Sequence, residues 1–270
     1  MDARVKRIST VAAAAAFILS AWTSCAVAAQ GQVGKPVQKQ LLRRLDQLSR
    51  QRLAYGGGSG QAALERISTS DAAKAPASAK KPMIVYIGAD FCPYCAALRW
   101  PLVIALMRFG HFEGLRYMRS ASDDVYPNTI TFDFHKMDYQ SAYVRLEAVE
   151  VQDREHHALE KPDKAQMALF RKFDAQPYTQ YPGAIPFLYM NGRYVSVGSP
   201  VSPGLFKDMT WESVVTKLAS GDSDLAKQVV GAANQYTAAI CQMTNGEPSQ
   251  VCEASGIAAA GQRLTRGQAN

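Results

Sequence analysis

The sequence predicts an α/β fold, and three stretches of the chain carry this prediction. Residues 83–87 are short, apolar and rich in β-branched side chains, which is typical of a buried strand. Residues 96–109 combine helix-forming residues with the apolar spacing of a long, mostly buried helix. Asn191-Gly192 separates two apolar, β-rich runs, and this dipeptide favours a hairpin with a type I′ turn.

The first 29 residues have the layout of a secretory signal peptide. A basic cluster of Arg4, Lys6 and Arg7 precedes a short, alanine-rich apolar run that ends in small residues. Because the run is short for a membrane-spanning helix, cleavage near Ala28 or Ala29 is favoured, with a retained signal anchor as the alternative. We therefore expect export to the periplasm or cell envelope, with a membrane tether if the segment is retained.

Residues 30–81 are expected to form a helical arm and a flexible linker. Four leucines fall on one face of a helical pattern, with basic residues on the other face. We favour packing of this face on the chain's own domain, and docking of a partner or a second copy is the alternative. A second helical pattern covers 61–67, and residues 70–81 have the composition of a linker. The globular domain is expected to begin near Lys80.

Two stretches compete for the place beside the strand at 83–87. Residues 115–119 and 143–151 both have β patterns, and the sequence leaves open which of them is the central strand. Residues 129–134 are expected to be extended within a polar, otherwise irregular segment. Residues 164–173 have the spacing of a helix that would return the chain to the sheet.

Two helices are expected after the hairpin. Thr210 is the expected N-cap of the first, and the second starts at residues 221–223 and ends near Cys241. Residues 256–270 form a tail with a polar end that we expect to be frayed. Without leader, arm and linker, the remaining length suits a single domain with one core.

Two thiols stand where the predicted strand becomes the predicted helix, in the segment Cys92-Pro93-Tyr94-Cys95. The first turn of a helix has unpaired N–H groups and the positive end of the helix dipole, which stabilise a thiolate. Pro93 fits this position because proline is tolerated in the first turn. Cys92 is therefore expected to be the acidic nucleophile, and Cys95, one turn on, is expected to resolve a mixed disulfide.

Other interpretations of this cysteine pair remain open. Half of a zinc site would need two more ligands, but the sequence has no second pair with this spacing and its four histidines are scattered. A soft metal such as Cu(I), held by the two thiolates, is another alternative, as are two inert, buried cysteines. Redox chemistry is the interpretation that we favour, and we expect no cofactor and no resident metal.

Export also affects the remaining cysteines, because thiols outside the cytoplasm are expected to pair. The chain has five cysteines, and cleavage of the leader would remove Cys25. Cys241 and Cys252 are separated by turn-forming residues, so we expect a structural disulfide that closes a short loop. A loop of this size contributes on the order of 2 to 3 kcal/mol in chain-entropy terms.

The formal net charge of the chain is +7. The first 29 residues hold three basic residues and one acidic residue, so +5 remains for the rest. Such an excess favours contact with anionic membrane surfaces or acidic substrates. No pattern of interleaved basic and aromatic residues indicates nucleic-acid binding.

The order of these signals resembles the thioredoxin fold: strand, CPYC, long helix, crossover, Ile185-Pro186, hairpin and closing helix. The resemblance covers residues 80–255. It implies a central mixed sheet flanked by helices, with an inserted segment, an N-terminal helical arm and a C-terminal helical extension. In thioredoxin-like proteins the residue before a cis-proline faces the cysteine pair and binds substrate backbone. Ile185 and Pro186 hold the matching positions, and Pro93 and Tyr94 complete the expected substrate contacts.

The chain is also similar to exported DsbA-type and DsbG-type oxidoreductases. It looks still closer to a domain-of-unknown-function family of thioredoxin-like proteins with the motif GADxCPYCAALRWP, which occurs here at residues 88–101. This implies exchange of the CPYC disulfide with cysteines of other exported proteins, in the oxidase direction. A membrane partner would then recycle the pair.

The buried acid of thioredoxin, which helps proton transfer to the resolving thiol, has no certain counterpart in this sequence. Asp90 and Glu147 are the two candidates. Asp90 also lies close enough to the helix start to act as a cap. Two functions from other classes are kept as alternatives, namely a non-catalytic Cu(I)-binding protein and a chaperone-like module.

Overall fold

The computed structural model describes residues 32–56, 62–71 and 81–266. The predicted signal peptide, Cys25 and most of the predicted linker lie outside these ranges. The described residues from Gly34 onward form one compact unit. In the described ranges no helix combines the length and hydropathy needed to cross a membrane.

The described part of the chain is mixed α/β. Its helices are α1 (Lys39–Gln51), α2 (Pro93–Met107), α3 (Lys164–Phe173), α4 (Trp211–Ser220), α5 (Asp224–Met243), α6 (Ser249–Cys252) and α7 (Ser255–Arg266). Its strands are β1 (Glu65–Arg66), β2 (Met83–Gly88), β3 (Gly110–Glu113), β4 (Arg116–Arg119), β5 (Ile130–Asp133), β6 (Asp138–Ser141), β7 (Arg145–Glu150), β8 (Phe187–Met190) and β9 (Tyr194–Val197). Short 3₁₀ segments span Arg52–Ala54 and Pro203–Phe206.

A five-stranded mixed sheet with the order β1-β9-β8-β2-β7 forms the centre of the fold. Strand β2 lies between β7, with which it is parallel, and β8, with which it is antiparallel. The question left open by the sequence is thereby answered, because the stretch at 143–151 supplies the strand beside β2. The competing stretch supplies β4, which pairs with β5 in a separate two-stranded sheet.

Strands β8 and β9 form the hairpin that the sequence predicts. Asn191 and Gly192 both have positive φ, +47° and +72°, as a type I′ turn requires. Glycine adopts such angles without steric cost and asparagine is among the residues that tolerate them, so this prediction is confirmed.

Helices cover both faces of the sheet. Helix α2 is apolar all round and almost every one of its residues is buried, as expected for a helix inside a core. It packs with α5 over the face that carries Ile84 and Tyr86. The opposite face carries Val85 and Ile87 and is covered by α3. The alternation along β2 therefore decides which side chains can reach the start of α2.

Helix α1 belongs to the same core. Leu41, Leu45 and Leu48 are buried in the cluster that also contains α2 and α5. The guanidinium of Arg108, at the end of α2, donates to the carbonyl oxygen of Ser49 at 3.1 Å. The helix is thus an integral part of the domain, in agreement with packing on its own domain, and the domain extends well before Lys80.

Two local predictions are wrong. Residues 61–67 do not form a helix in their described part, because Glu65 and Arg66 pair with β9 at the sheet edge. The polar end predicted to be frayed is helical over residues 261–266, which belong to α7, where Ile257, Ala260 and Leu264 are buried on one face. Residues 267–270 of that end lie outside the described ranges. In both places burial of small apolar groups against distant elements outweighs a weak local preference.

A disulfide joins Cys241, near the end of α5, to Cys252. It closes a loop with a sequence separation of 11 and links α5 to the last residue of α6.

We predict that Leu45→Ala lowers the free energy of unfolding by about 2 to 5 kcal/mol, because it opens a cavity between α1 and the core. Urea denaturation followed by circular dichroism measures this change. The matched control is Gln47→Ala on the exposed side of α1, which should stay within about 0.5 kcal/mol of the parent. Equal denaturation midpoints for the two variants would contradict the placement of α1 in the core.

Candidate active site

Cys92 is the N-cap residue of α2. Its backbone is extended (φ −75°, ψ 120°), and its sulfur accepts the N–H of Cys95 at 3.3 Å. Pro93 follows in the first turn, where its lack of an N–H removes no helical hydrogen bond. The sulfur of Cys92 therefore caps the N-terminus of α2, a role that the side-chain oxygen of serine or aspartate usually has.

The two cysteines differ in exposure. Both are free and buried, but Cys92 retains 6% of its surface whereas Cys95 retains none. Of the two residues, Cys92 is therefore the more accessible from outside.

The two thiols also differ in acidity. The pKa of Cys92 is lowered, chiefly by a hydrogen bond between its sulfur and that of Cys95, and further by the backbone amides of Cys95 and Tyr94. The charge of Arg99 adds to this, and together these effects outweigh burial. The pKa of Cys95 is raised well above its usual value, because burial disfavours the thiolate and the hydrogen bond to Cys92 opposes its ionisation.

The Ile185-Pro186 segment lies against Cys92. Its peptide bond is cis, and the Ile185 carbonyl oxygen is 3.9 Å from the Cys92 sulfur. Ile185 packs on the small apolar cluster formed by Ala89, Cys92 and Cys95. Pro186 is anchored to the hairpin through its carbonyl oxygen, which accepts the N–H of Gly198 at 2.8 Å. The structure therefore brings together both sequence-predicted parts of the site, which are more than 80 residues apart.

The rim of the site is aromatic. Tyr94 of the CPYC segment is 41% exposed, and its ring meets that of Tyr126 edge-on at 6.0 Å. The segment that carries Tyr126 is tied to the site, since the N–H of Ala121 donates to the carbonyl oxygen of Phe91 at 2.9 Å. Pro93 is buried beside this rim.

Near the cysteines lies a buried cluster of charges, and Asp90 is its only member among the predicted site residues. Arg99 is one helical turn after Cys95 and has no exposed surface. Its guanidinium donates to Glu150 at 2.6 Å and lies 3.2 Å from a carboxylate oxygen of Asp90. Glu150 is the last residue of β7 and is also fully buried.

Of the two acids predicted for proton transfer, the structure places only Asp90 at the site. Asp90 is buried in the turn between β2 and α2. Glu147 pairs across the sheet with Val85 and so lies on the face away from α2. Its carboxylate contacts Arg145 at 3.1 Å and the Gln166 side chain at 3.2 Å. Glu150, three residues later on the strand, projects to the α2 face instead.

Burial raises the pKa of the acidic side chains around Arg99. It raises the pKa of Asp90 to about 6, although the charge of Arg99 acts in the opposite direction. It raises the pKa of Glu150 well above its usual value, against the same charge. The carboxyl group of Asp133, on β5, is shifted upward by burial as well.

One signal in the sequence points toward this cluster. Arg99 is the single charged residue between residues 93 and 107, in a helix that is otherwise apolar. A charge inside an apolar helix requires a buried partner. Its partner cannot be identified from spacing, because Glu150 is 51 residues away.

No group of three or more histidine, cysteine or acidic side chains is arranged to hold a metal ion within the described ranges.

We predict that Asp90→Asn changes the pH dependence of stability. An acid whose pKa is raised to about 6 in the folded state stabilises that state below about pH 4 and loses this contribution as the pH rises through 6. Relative to the variant, the parent protein should therefore lose about 2 to 3 kcal/mol of unfolding free energy between pH 4 and pH 8. Denaturation of both proteins across this range provides the measurement. A difference that does not depend on pH would contradict the shifted pKa.

Comparison with known proteins identifies one family. The family described as Domain of unknown function (DUF929) matches residues 72–242. Neither a curated protein nor a solved structure shows a significant match to the chain. The matched region contains β2, the CPYC segment, the buried charges and the Ile185-Pro186 segment. With most of its length covered by this match, the chain belongs to the DUF929 family.

Proposed function

We propose that this protein is a thiol-disulfide oxidoreductase with a thioredoxin-like fold, in which Cys92 reacts with cysteines of other proteins and Cys95 resolves the mixed disulfide. The observation that carries the proposal is the position of Cys92 at the start of α2. There its sulfur accepts a backbone N–H and lies 3.9 Å from the carbonyl oxygen of Ile185, and the residue retains some exposed surface. These are the features of a reactive thiol rather than an inert one.

The order of elements supports the thioredoxin-like assignment. Strand β2 leads into the CPYC segment and α2, the crossover returns through α3, and the Ile185-Pro186 segment opens the β8–β9 hairpin. Helix α4 and α5 follow as the closing helices. The helix α1 and the segment between α2 and β7 are additions around this framework.

The reaction in the oxidase direction begins with the Cys92–Cys95 disulfide. A thiolate of the client attacks the Cys92 sulfur, which forms a mixed disulfide and releases Cys95 as a thiolate that takes up a proton. A second client thiolate then attacks the client's own sulfur in the mixed disulfide, and Cys92 leaves as a thiolate. The client loses two electrons and gains a disulfide, while the protein gains two electrons and becomes the dithiol.

Asp90 is the proposed proton donor and acceptor for this cycle. A carboxyl group with a pKa of about 6 is present in both protonation states near neutral pH, which suits proton exchange. It lies two residues before Cys92 and 3.2 Å from Arg99, the charged side chain that follows Cys95 by one helical turn.

The lowered pKa of Cys92 favours the oxidase direction. A lowered pKa stabilises the reduced form relative to the disulfide, so the disulfide is a stronger oxidant. Client binding through backbone contacts at Ile185 and Pro186, next to the exposed ring of Tyr94, suits an extended polypeptide segment. The clients that we propose are cysteine-containing exported proteins, with a membrane redox partner that reoxidises the pair.

Replacement of the resolving thiol provides the direct test. In a Cys95→Ala variant, expressed with its leader, the Cys92 thiolate attacks a client disulfide and releases one client thiolate. The mixed disulfide that this forms should persist, because Cys95 is no longer present to displace the client. Mass spectrometry after non-reducing electrophoresis identifies the linked proteins. The double variant Cys92→Ser/Cys95→Ala is the control and should trap none. Absence of adducts in the single variant, together with tight Cu(I) binding by the reduced parent protein, would replace the proposal with metal binding.

We also predict that Cys92 in the reduced protein reacts with iodoacetamide at a lower pH than an ordinary thiol does. The pH of half-maximal alkylation should lie below about 8.5, the usual value for cysteine, because the folded state stabilises the thiolate. Peptide mass spectrometry should locate the first label on Cys92, with Cys95 unlabelled until the protein unfolds. A midpoint at or above that value would contradict the proposed activation.

A further inference from the structure

Arg99 makes every one of its described polar contacts beneath the cysteine pair. Its Nε donates to the hydroxyl of Tyr86 at 3.1 Å, and one Nη donates to the carbonyl oxygen of Phe132 at 3.3 Å. The other Nη donates to the carbonyl oxygen of Ala89 at 3.0 Å and to Glu150 at 2.6 Å. One fully buried side chain therefore ties together α2, β2, β5, β7 and the turn before Cys92.

Gly88 leaves room for the hydrogen bond between Arg99 and Tyr86. A Cβ atom at position 88 would collide with the hydroxyl of Tyr86, so Gly88 allows that hydroxyl to lie where Arg99 reaches it. The hydrogen bond from Arg99 to the Ala89 carbonyl oxygen connects the guanidinium to the turn before Cys92. The N–H of Cys92 also donates to this oxygen, at 3.3 Å. Arg99 and Cys92 thus share one backbone acceptor.

The charge of Arg99 acts on both sulfurs. It favours the thiolate form of Cys92 and of Cys95. The charged and titratable groups that face it are Asp90 in the turn, Glu150 on β7, Asp133 on β5, Tyr86 on β2 and, farther out, His135. Glu150 acts on Cys95 in the opposite direction. The electrostatic potential at Cys95 therefore depends on the opposing effects of Arg99 and Glu150.

We infer that Arg99 is a positioning residue of the exchange reaction, which holds the turn before Cys92 in place and supplies the buried positive charge that makes the cysteine pair oxidising. This inference rests on the proposed function, since it assigns how that same site is tuned. The start of α2 stabilises a thiolate at Cys92 with backbone groups alone. The inference adds a side-chain charge to this backbone effect.

Two variants that differ only at position 99 test this inference. Glu150→Gln keeps the guanidinium, whereas Arg99→Met/Glu150→Gln removes it without leaving the Glu150 carboxylate unpaired. Asp90 is present in both variants, and loss of the guanidinium raises its pKa further, which favours its neutral form. We expect the pH of half-maximal Cys92 alkylation to be about one unit higher in the double variant. The equilibrium with glutathione should shift by about tenfold toward the disulfide form of the protein, since a less acidic Cys92 makes a weaker oxidant.

Arg108 offers a matched control. It is also a buried arginine, at the other end of α2, and it bonds to Ser49 and Thr237 rather than to the site. Arg108→Met should lower the melting temperature. It should leave the pH of half-maximal Cys92 alkylation within about 0.3 unit of the parent and the glutathione equilibrium constant within about twofold. A comparable redox shift in this control would overturn the inference.

If Arg99→Met/Glu150→Gln does not fold, Arg99→Gln/Glu150→Gln takes its place, since an amide retains hydrogen bonding without the charge. The same shifts relative to Glu150→Gln are expected. If the parent exchanges with glutathione, but Glu150→Gln and the folded double variant have equal alkylation midpoints and equal glutathione equilibria, the role of Arg99 is overturned. A parent protein that does not exchange at all would instead overturn the proposed function.

Discussion

The geometry of the site depends on the need of the first backbone N–H groups of α2 for hydrogen-bond acceptors. The first amides of a helix have no partner within the helix, and here the sulfur of Cys92 accepts one of them. This contact is formed only if the chain leaves β2 and enters α2 through a turn of fixed geometry. Arg99 holds that turn from inside the core, and the bond between Phe91 and Ala121 holds it from the rim. The geometry on which the proposed reactivity of Cys92 rests therefore depends on contacts with residues far along the chain.

The same turn explains why charge is retained in an apolar core. Burial of an arginine and two carboxyl groups costs free energy, and well-packed apolar residues would often serve stability at least as well. The cluster instead places a fixed positive charge one helical turn from Cys95, with a carboxyl group on each side of it. If the proposed function holds, the controlled potential at the two sulfurs is the gain that offsets this cost.

Local signals in the sequence were sufficient for much of the fold. Strand β2, helix α2 and the Asn191-Gly192 hairpin each carry their own pattern, and all three are present. The failures involve long-range pairing: β1 exists because β9 offers an edge, and α7 is stable because α5 lies beneath it. At the site, position in a strand-to-helix turn indicated Cys92, whereas the partnership of Arg99 with Glu150 required knowledge of which strand lies beside β2. Alternation along β7 then separates Glu150 from Glu147.

The disulfide between Cys241 and Cys252 has a consequence for the biosynthesis of this protein. It ties the end of α5 to the short helix that precedes α7, and α7 in turn packs on α5. This bond forms only when two electrons are removed from the newly made chain. A polypeptide proposed to oxidise others must thus itself be oxidised during maturation, and the amount of finished protein is coupled to the supply of oxidant around it.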